Sequence, residues 1–400
     1  MNKHRVAILG FGVVGGGVAD LITNNRAELS AYLGCEVEIG HILDLRDFPG
    51  SPFEGLVTHD FGDILADDSI DTVIEVMGGE HPAYEYSCAA LVAGKNVITS
   101  NKEVVAKHGD EFVRLAAEAG VSYRFEAAVG GGIPVIAPLI SSVRQNKIRE
   151  VRGILNGTTN YILTKMFTYG EDFASALSDA QARGYAEANP DADVLGTDAA
   201  RKITILTALA ADLLPELEDV YTEGITGIRS SDVAFANAVG HEIKLVGRCI
   251  TGGELPTVCV APFLLPKNSP LATVSGVYNA IEVIADPLGN VMFYGQGAGA
   301  GATASAVMGD LIPIIASGGI NPIVPGFNRS EKSVRPNFDK LESRFYLAFN
   351  KEDAETVKSL GEVMENGNEI AVITAPTEEA KMQRIISDLG TKPLSVIRFI

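Results

Sequence analysis

The sequence of 400 residues has little of what several classes of protein require. It has four cysteines, at positions 35, 88, 249 and 259, and none forms a Cys-x-x-Cys pair, so neither a disulfide framework nor a zinc site is indicated. Lys and Arg number 32 against 51 Asp and Glu, and this net charge of −19 argues against nucleic acid and anionic membrane surfaces as partners. No apolar run reaches the length of a membrane span.

The bulk composition indicates a globular enzyme of two or three domains. The chain is 46% hydrophobic and 21% charged, which is typical of folded rather than disordered proteins. Its first residues pass directly into a glycine motif without a signal-peptide cleavage region. With the sparse cysteines, this start predicts a cytoplasmic protein.

A dinucleotide-binding motif follows the first predicted strand. Residues Arg5–Leu9 form a β-type run, and a Gly-x-Gly-x-x-Gly pattern then opens a helix that extends to about Thr23. The glycines allow a tight turn, a close approach of the backbone to a pyrophosphate, and packing of helix on strand. The cofactor is therefore expected to contact the loop of Gly10, Phe11, Gly12, Val13, Val14 and Gly15.

The second strand, Val37–Leu43, ends at an acid that is placed to bind the adenosine ribose. This acid is Asp44, and the first crossover carries extra length over Asn24–Gly34. Arg46 lies two residues further on and would meet a 2′-phosphate instead. The residues thus leave NAD and NADP open as the cofactor.

Strands and helices go on alternating, which predicts an α/β fold with a Rossmann-type, doubly wound parallel sheet. The strands Asp71–Met77 and Asn96–Ser100 end at polar or glycine residues, where such sheets bind ligands. Expected cofactor contacts at these ends are Gly78, Thr99, Ser100 and Lys102. A further predicted strand, Ser122–Ala128, leads into three glycines, where Glu126 and turned backbone carbonyls would suit a hard cation or a structural turn.

An acid-rich loop precedes a helix in residues 184–202, read as GYAEANPDADVLGTDAARK. Asp198 and Lys202 are four residues apart on one side of this helix, whose apolar face predicts burial. Such a loop suits a small cationic substrate, although an isolated pair of this kind is more often a surface salt bridge. A calcium loop is excluded, because Lys202 stands where an EF-hand needs a bidentate Glu.

Several blocks, in this order, resemble homoserine dehydrogenases over nearly the whole chain to about residue 330. They are GFGVVGGG, TSNKEVVAKHG, EAAVGGGIPVI, RGILNGTTNYIL, the acidic block with its helix, and GQGAGAGATASAV. The resemblance implies reversible NAD(P)-dependent interconversion of L-homoserine and L-aspartate 4-semialdehyde, in threonine and methionine biosynthesis. It also implies a homodimer or homotetramer.

The resemblance further implies roles for individual residues. Lys202 matches the catalytic acid/base, and Lys102 matches a lysine that assists near the nicotinamide. Substrate contacts are implied for Glu187, Asp193, Asp198, Gly157 and Thr158, and a further cofactor contact for Gly299. A monovalent, sodium-type cation would be held by Glu126 and the carbonyls of Val129, Gly131 and Ile133.

Three domains are expected from these patterns. Residues 1–135 form the NAD(P)-binding domain, completed by a helix near 300–320, and residues 136–300 form a central α+β catalytic and dimerisation domain. Residues 340–400 resemble a truncated ACT-type βαβαβ module, with a helix over Asp353–Met364, and the predicted module is one strand short. Asn350–Glu355 replaces the effector-binding turn of such modules, which argues against threonine feedback.

Alternative functions are another NAD(P)-dependent amino-acid or semialdehyde dehydrogenase and a non-catalytic nucleotide-sensing protein. A semialdehyde dehydrogenase with a covalent mechanism needs a nucleophilic Cys beside a base. None of the four cysteines lies in a glycine-rich turn or beside a His, which argues against that chemistry.

Overall fold

The computed structural model describes residues 2–317 and 326–400, and the chain divides into two compact units. Unit 1 comprises Met1–Gln145, Asp212–Leu214 and Gly295–Arg329. Unit 2 comprises Asn146–Ala211, Pro215–Tyr294 and Ser330–Ile400. The helix expected near 300–320 is described as far as Ser317, and the rest of that range lies outside the described residues.

Unit 1 is built on a six-stranded parallel sheet, which confirms the predicted Rossmann-type fold. The strand order β3-β2-β1-β4-β5-β6 reverses direction beside β1, and ligands bind at this point in sheets of the type. The strands are β1 Asn2–Leu9, β2 Cys35–Leu43, β3 Val57–Thr58, β4 Thr72–Glu75, β5 Asn96–Thr99 and β6 Tyr123–Arg124.

The helices of unit 1 lie in the connections between its parallel strands, after β6, and in the segment where the chain later returns to this unit. They are α1 Val13–Asn24, α2 Arg26–Leu33, α3 Phe61–Ala66, α4 Ala83–Val92, α5 Lys102–Ala119, α6 Ile136–Pro138 and α12 Ala300–Ala316. Helix α2 occupies the extra length of the first crossover. Helix α12 packs on α1, where a Cβ added to Gly17 would lie 3.2 Å from the Cβ of Ala304.

The strand predicted over Ser122–Ala128 is shorter than expected. Strand β6 ends at Arg124, and Glu126–Ala128 form a turn of 3-10 helix. The backbone leaves the sheet there because the Glu126 side chain binds amides further along the chain, and its own N–H donates to Asp310 Oδ2 at 2.7 Å.

Unit 2 contains a ten-stranded sheet with the order β12-β11-β7-β9-β10-β18-β14-β16-β15, in which β8 also pairs with β10. A separate two-stranded sheet joins β13 and β17. The strands are β7 Lys147–Ile154, β8 Tyr221–Thr222, β9 His241–Ile250, β10 Thr257–Pro266, β11 Tyr278–Asp286, β12 Gly289–Gln296, β13 Glu342–Ser343, β14 Phe345–Asn350, β15 Gly361–Asn366, β16 Glu369–Thr374, β17 Thr377–Glu378 and β18 Ser395–Phe399.

In unit 2, the helix that carries Ile203 packs on β7, β9 and β10 of this sheet. A Cβ added to Gly247 of β9 would lie 3.2 Å from the Cβ of Ile203, so glycine there allows the helix to approach the strand. The helices are α7 Gly157–Tyr169, α8 Phe173–Ala182, α9 Asp191–Val194, α10 Thr197–Ala211, α11 Ser230–Ala238, α13 Arg335–Asp339, α14 Ala354–Val357 and α15 Glu379–Asp388.

The structure of the C-terminal module shows that one prediction is wrong. The helix expected over Asp353–Met364 is only the short α14, and β15 then pairs with β16, so the order is βαββαβ rather than βαβαβ and no strand is missing. The signal overlooked is the Gly367-Asn368 dipeptide, which forms the two-residue turn between β15 and β16. Gly367 has φ +63°, the conformation that such a turn requires.

The C-terminal module is continuous with the rest of unit 2. Strand β18 pairs in parallel with β10 and antiparallel with β14, so one sheet runs through both regions. Arg398 of β18 is buried and binds Glu379 through two nitrogens and Glu223 through a third. Among the described residues, no helix is long and apolar enough to cross a membrane.

Candidate active site

The glycine loop of unit 1 has the geometry of a pyrophosphate cradle. Gly10 has φ +93°, and a Cβ added to Gly15 would lie 2.0 Å from the Gly10 carbonyl oxygen, so both positions require glycine. A Cβ added to Gly12 would meet no atom within 4 Å, which leaves open space above the loop. Gly12 also caps α1 without a side-chain hydrogen bond, so the first amides of that helix can receive an anion.

Asp44 links the end of β2 to this loop. Its Oδ2 accepts a hydrogen bond from the Phe11 amide at 2.7 Å, and its Oδ1 accepts one from Arg46 Nε at 2.9 Å. The Arg46 hydrogen bond and the Phe11 amide lower the pKa of Asp44 to about 2. The Arg46 side chain is 62% exposed, so its guanidinium can leave this pair without a burial penalty.

A buried acid organises the crevice between β4 and β5. Glu75 ends β4, and its carboxylate accepts hydrogen bonds from the Thr99 hydroxyl and the Met77 amide. The Thr99 hydroxyl accepts from the Asn101 amide, and the Asn101 side chain caps α5, which begins at Lys102. Burial raises the pKa of Glu75 to about 7. Sequence reasoning missed Glu75, because an acid at a strand end has no distinctive spacing.

The other expected cofactor contacts of unit 1 occupy turns or buried strand ends. Thr99 is fully buried, so only its backbone can reach a ligand, whereas Ser100 is half-buried and its amide donates to the Glu75 carbonyl. Gly79 follows Gly78, and its carbonyl accepts from Asn101 Nδ2 at 2.7 Å. Gly299 has φ +121° and precedes α12.

Glu126 occupies a backbone nest rather than a cluster of acids. Its Oε1 accepts from the amides of Val135 and Ile136 at 2.6 and 2.8 Å, and its Oε2 accepts from Ala137 at 2.7 Å. Burial raises its pKa, and these amides oppose that shift. Of about four acceptor positions on a carboxylate, three are thus used, which leaves one for a cation. The described residues contain no group of three or more His, Cys, Asp or Glu placed to hold a metal ion.

In unit 2, Asp198 and Lys202 form a buried ion pair at the start of α10. The Lys202 Nζ donates to Asp198 Oδ2 at 2.7 Å and to the Leu155 carbonyl at 2.7 Å. The Lys202 side chain is 10% exposed and the Asp198 side chain is 8% exposed, so the pair is not a surface salt bridge. A buried ammonium with a carbonyl and a carboxylate as partners has a restricted orientation, as proton transfer requires.

Asn156 connects this pair to a second acid. Its Nδ2 donates to Asp198 Oδ2 at 2.9 Å and to Asp193 Oδ1 at 2.6 Å. Burial raises the pKa of Asp193, and the charge of Asp198 raises it further, whereas the Asn156 hydrogen bond lowers it. Sequence reasoning named the neighbours Gly157 and Thr158 and missed Asn156, although a polar residue between a strand and a helix was an available signal.

Of the other predicted substrate contacts, Gly157 and Thr158 lie at the start of α7, whereas Glu187 lies at the surface. Thr158 Oγ1 donates to the Tyr185 carbonyl at 2.6 Å and so attaches α7 to the loop that carries the acids. Gly157 begins α7, where a Cβ would lie 2.6 Å from the Val277 carbonyl oxygen. Glu187 and Asp191 are exposed, and the structure does not bring the Glu187 carboxylate into the buried cluster.

Comparisons with known proteins agree with this arrangement. Residues 10–126 match the family model for the homoserine dehydrogenase NAD-binding domain, and residues 134–312 match the homoserine dehydrogenase model. The homoserine dehydrogenase of Synechocystis is 41% identical over 358 residues, which cover 86% of this chain and 82% of that protein. The homoserine dehydrogenase of Neisseria gonorrhoeae is 35% identical and covers 100% of this chain and 99% of its own.

The chain belongs to the homoserine dehydrogenase family.

Solved structures support the same assignment. A homoserine dehydrogenase from Thiobacillus denitrificans superimposes with a TM-score of 0.90 at 31% identity, covering 100% of this chain and 99% of that one. A hyperthermophilic archaeal homoserine dehydrogenase mutant in complex with NADPH superimposes with a TM-score of 0.69 at 28% identity, covering 80% of this chain and 99% of that one.

The predicted activity is therefore confirmed over the alternatives. As a homoserine dehydrogenase, the chain is an NAD(P)-dependent oxidoreductase acting on a CH–OH group, with L-homoserine and L-aspartate 4-semialdehyde as its substrates. The cysteines agree with the absence of a covalent step, because burial raises the thiol pKa of Cys249 to about 12 and of Cys259 to about 11.

Proposed function

We propose that Lys202 is the acid/base of this homoserine dehydrogenase and that unit 2 binds the substrate around it. The observation that carries the proposal is the buried Lys202 ammonium, held by the Leu155 carbonyl and the Asp198 carboxylate at 2.7 Å each. Two fixed partners leave one direction in which its third N–H can reach a substrate oxygen.

The chemistry then divides between cofactor and protein. When bound, the nicotinamide supplies a hydride to the aldehyde carbon or accepts one from the hydroxyl-bearing carbon. Lys202 gives a proton to the aldehyde oxygen as it gains negative charge, and it takes the hydroxyl proton in the reverse direction. Asp198 holds the lysine in place throughout.

The substrate's ammonium group is assigned to the acids beside this lysine. Asp193 lies at the half-buried edge of the cluster and is the nearest carboxylate not paired with Lys202. Glu187 lies on the exposed part of the same loop, from which it would add a second carboxylate when substrate binds. Gly157 and Thr158 border this position at the start of α7.

Unit 1 is assigned the cofactor, with the pyrophosphate over residues 10–15 and the adenosine ribose on Asp44. Because the Asp44 carboxylate is ionised and Arg46 is already bound to it, we expect NAD to be preferred to NADP. Lys102 is assigned a supporting role near the nicotinamide. A monovalent cation is assigned to the remaining acceptor position of Glu126 and the carbonyls of Val129, Gly131 and Ile133.

A homodimer is proposed through one face of the unit 2 sheet. Glu150, Arg152, Arg248 and Glu282 lie on the face opposite α10, where they form ion pairs of 2.7 and 2.8 Å. Ile250 and Ile284 flank these pairs and remain half-buried. Such a face suits a second copy of the chain. Light scattering after size exclusion tests this assembly, and the cytoplasmic location stays a prediction.

The proposed function is tested by initial rates of L-homoserine oxidation with NAD and with NADP, each with and without L-threonine. We expect turnover with a lower KM for NAD, and little inhibition by threonine because Asn350–Glu355 stands in place of the effector-binding turn of such modules. Lack of turnover with either cofactor would overturn the enzyme assignment, and strong inhibition at low threonine would overturn the view of the module.

A further inference from the structure

Two groups at the corner between β7 and α7 make three hydrogen bonds to the buried cluster. The Leu155 carbonyl accepts from Lys202, and Asn156 Nδ2 donates to both Asp193 and Asp198. We infer that Asn156 is a positioning residue, which holds the two carboxylates side by side and, through Asp198, fixes the direction of the Lys202 ammonium. This inference rests on the proposed role of Lys202.

The orientation of the Asn156 amide is determined by its surroundings. Its Oδ1 accepts a hydrogen bond from the Thr159 amide at 2.8 Å and so caps α7. A backbone N–H can only donate, so the oxygen must point to Thr159 and both hydrogens of Nδ2 must point to the acids. Asn156 is 6% exposed, and water cannot easily replace either donor.

The two acids need such a donor because they repel each other. Lys202 is within hydrogen-bonding distance of Asp198, whereas Asp193 is held by Asn156. The groups that act on the charge of Asp193 are Asp198 and Lys202, together with the hydrogen bond from Asn156 and the nearby Thr158 hydroxyl. Without the amide, Asp193 would take up a proton at higher pH and would hold an ammonium group less well.

The functional consequence is a site of two fixed negative charges and one fixed proton donor. An amide supplies two hydrogens without adding charge, which a lysine, an arginine or a carboxylate cannot do. A proton cannot pass along this amide, so Asp193 stays an ammonium-binding acid while Lys202 moves the proton. Asn156 thereby keeps the binding and proton-transfer functions apart.

The test uses Asn156→Asp, which keeps the helix cap but removes both donors. Asp is as good an N-cap as Asn, so we expect folding to be retained. We expect kcat/KM for L-homoserine to fall by about 100-fold, in line with the loss of hydrogen bonds to charged groups. We also expect the acid limb of the kcat/KM profile to move to higher pH, both here and in the uncharged variant Asn156→Ser, which a purely structural role would not produce.

Three further variants make the result decisive. Asp172 caps α8, because its Oδ1 accepts a hydrogen bond from the Ser175 amide at 2.8 Å. Asp172→Ala removes this cap and controls for the loss of a helix cap. Asn156→Ser keeps the cap with a single donor and decides the question if Asn156→Asp does not fold. We expect kcat/KM of Asn156→Ser for L-homoserine to fall by about 10-fold. Lys202→Ala tests the role on which the inference rests.

The outcomes separate the two proposals. Loss of activity and a shifted acid limb in Asn156→Asp, with Lys202→Ala inactive and Asp172→Ala normal, support the inference. Normal rates and an unchanged pH profile in a folded Asn156 variant, with Lys202→Ala inactive, would overturn the inference and leave the proposed function standing. Full activity of Lys202→Ala would overturn both.

Discussion

The glycine loop of unit 1 offers backbone groups to a ligand, whereas the polar cluster of unit 2 offers side chains. In unit 1, one continuous loop supplies backbone amides, and glycine is required because added Cβ atoms would collide, as at Gly15 with the Gly10 carbonyl. In unit 2, the polar cluster consists of side chains from a strand–helix corner, from α9 and from α10, and its members Asn156 and Lys202 are 46 residues apart. A backbone site can be seen as a local pattern, whereas a side-chain site depends on how distant segments pack.

The two sites also contain two different acid–base pairs. Arg46 is 62% exposed beside Asp44, and such exposed pairs contribute about 0–1 kcal/mol. Asp198 and Lys202 are buried, and removing one member of a buried pair typically costs about 3–5 kcal/mol. Similar residue types thus make a replaceable surface contact in one unit and a fixed, buried ion pair in the other.

The largest effect should come from Lys202→Ala. We expect kcat to fall by about 10²–10⁴-fold, the usual contribution of a general acid or base. Calorimetric titration should show unchanged dinucleotide affinity, because the loop of unit 1 is intact. Lys147→Ala, at an exposed position of unit 2, serves as the control. A parallel loss of dinucleotide binding would show that the two sites are not separate.

Glu75→Gln should change the pH dependence of stability. The folded-state pKa of Glu75 is raised from 4.5 to about 7, so the unfolded chain releases this proton first and stability falls between these values as pH rises. Gln removes the cost of ionising a buried acid. The free energy of unfolding can be measured with urea at pH 5 and at pH 8. Relative to that of the wild type, the value for the variant should rise by up to about 3 kcal/mol from pH 5 to pH 8. An equal difference at both pH values would contradict the buried, protonated state.

Asp44→Ala should alter cofactor preference and leave the chemistry of unit 2 unaffected. Loss of a charged ribose contact should raise the KM for NAD by about 10–100-fold, and Arg46 becomes available to a 2′-phosphate. Initial rates with both cofactors measure the ratio of their kcat/KM values, with Asp47→Ala as the exposed control. An unchanged ratio would show that Asp44 does not contact the ribose.

The smallest effect should come from Asp191→Ala, compared with Asp193→Ala in the same loop. Asp191 is exposed, and its replacement should change kcat/KM for L-homoserine by less than about 2-fold. Asp193 is bound to Asn156, and its replacement should raise the KM for L-homoserine by at least about 10-fold. The opposite order would show that the acids of this loop have been assigned wrongly.

Much of this architecture follows from local patterns. The parallel sheet of unit 1 and the positions of α1, α5, α7 and α10 agree with the periodicity of the chain. The C-terminal module was predicted less well. The polar, charged stretch around Val363 is typical of a helix, and only the Gly367-Asn368 turn and the pairing with β16 identify it as a strand.

The family, the parallel sheet, the glycine loop and the candidate lysines can be predicted from the amino-acid sequence alone, because each depends on residues close together in the chain. Packing of distant segments establishes which acids are buried, that Asn156 holds Asp193 beside Asp198, and that Glu75 is linked through Thr99 to the start of α5. The difference arises because burial sets both the strength of a charge and the need for a partner. Burial is a property of the packed fold, and no single segment carries it.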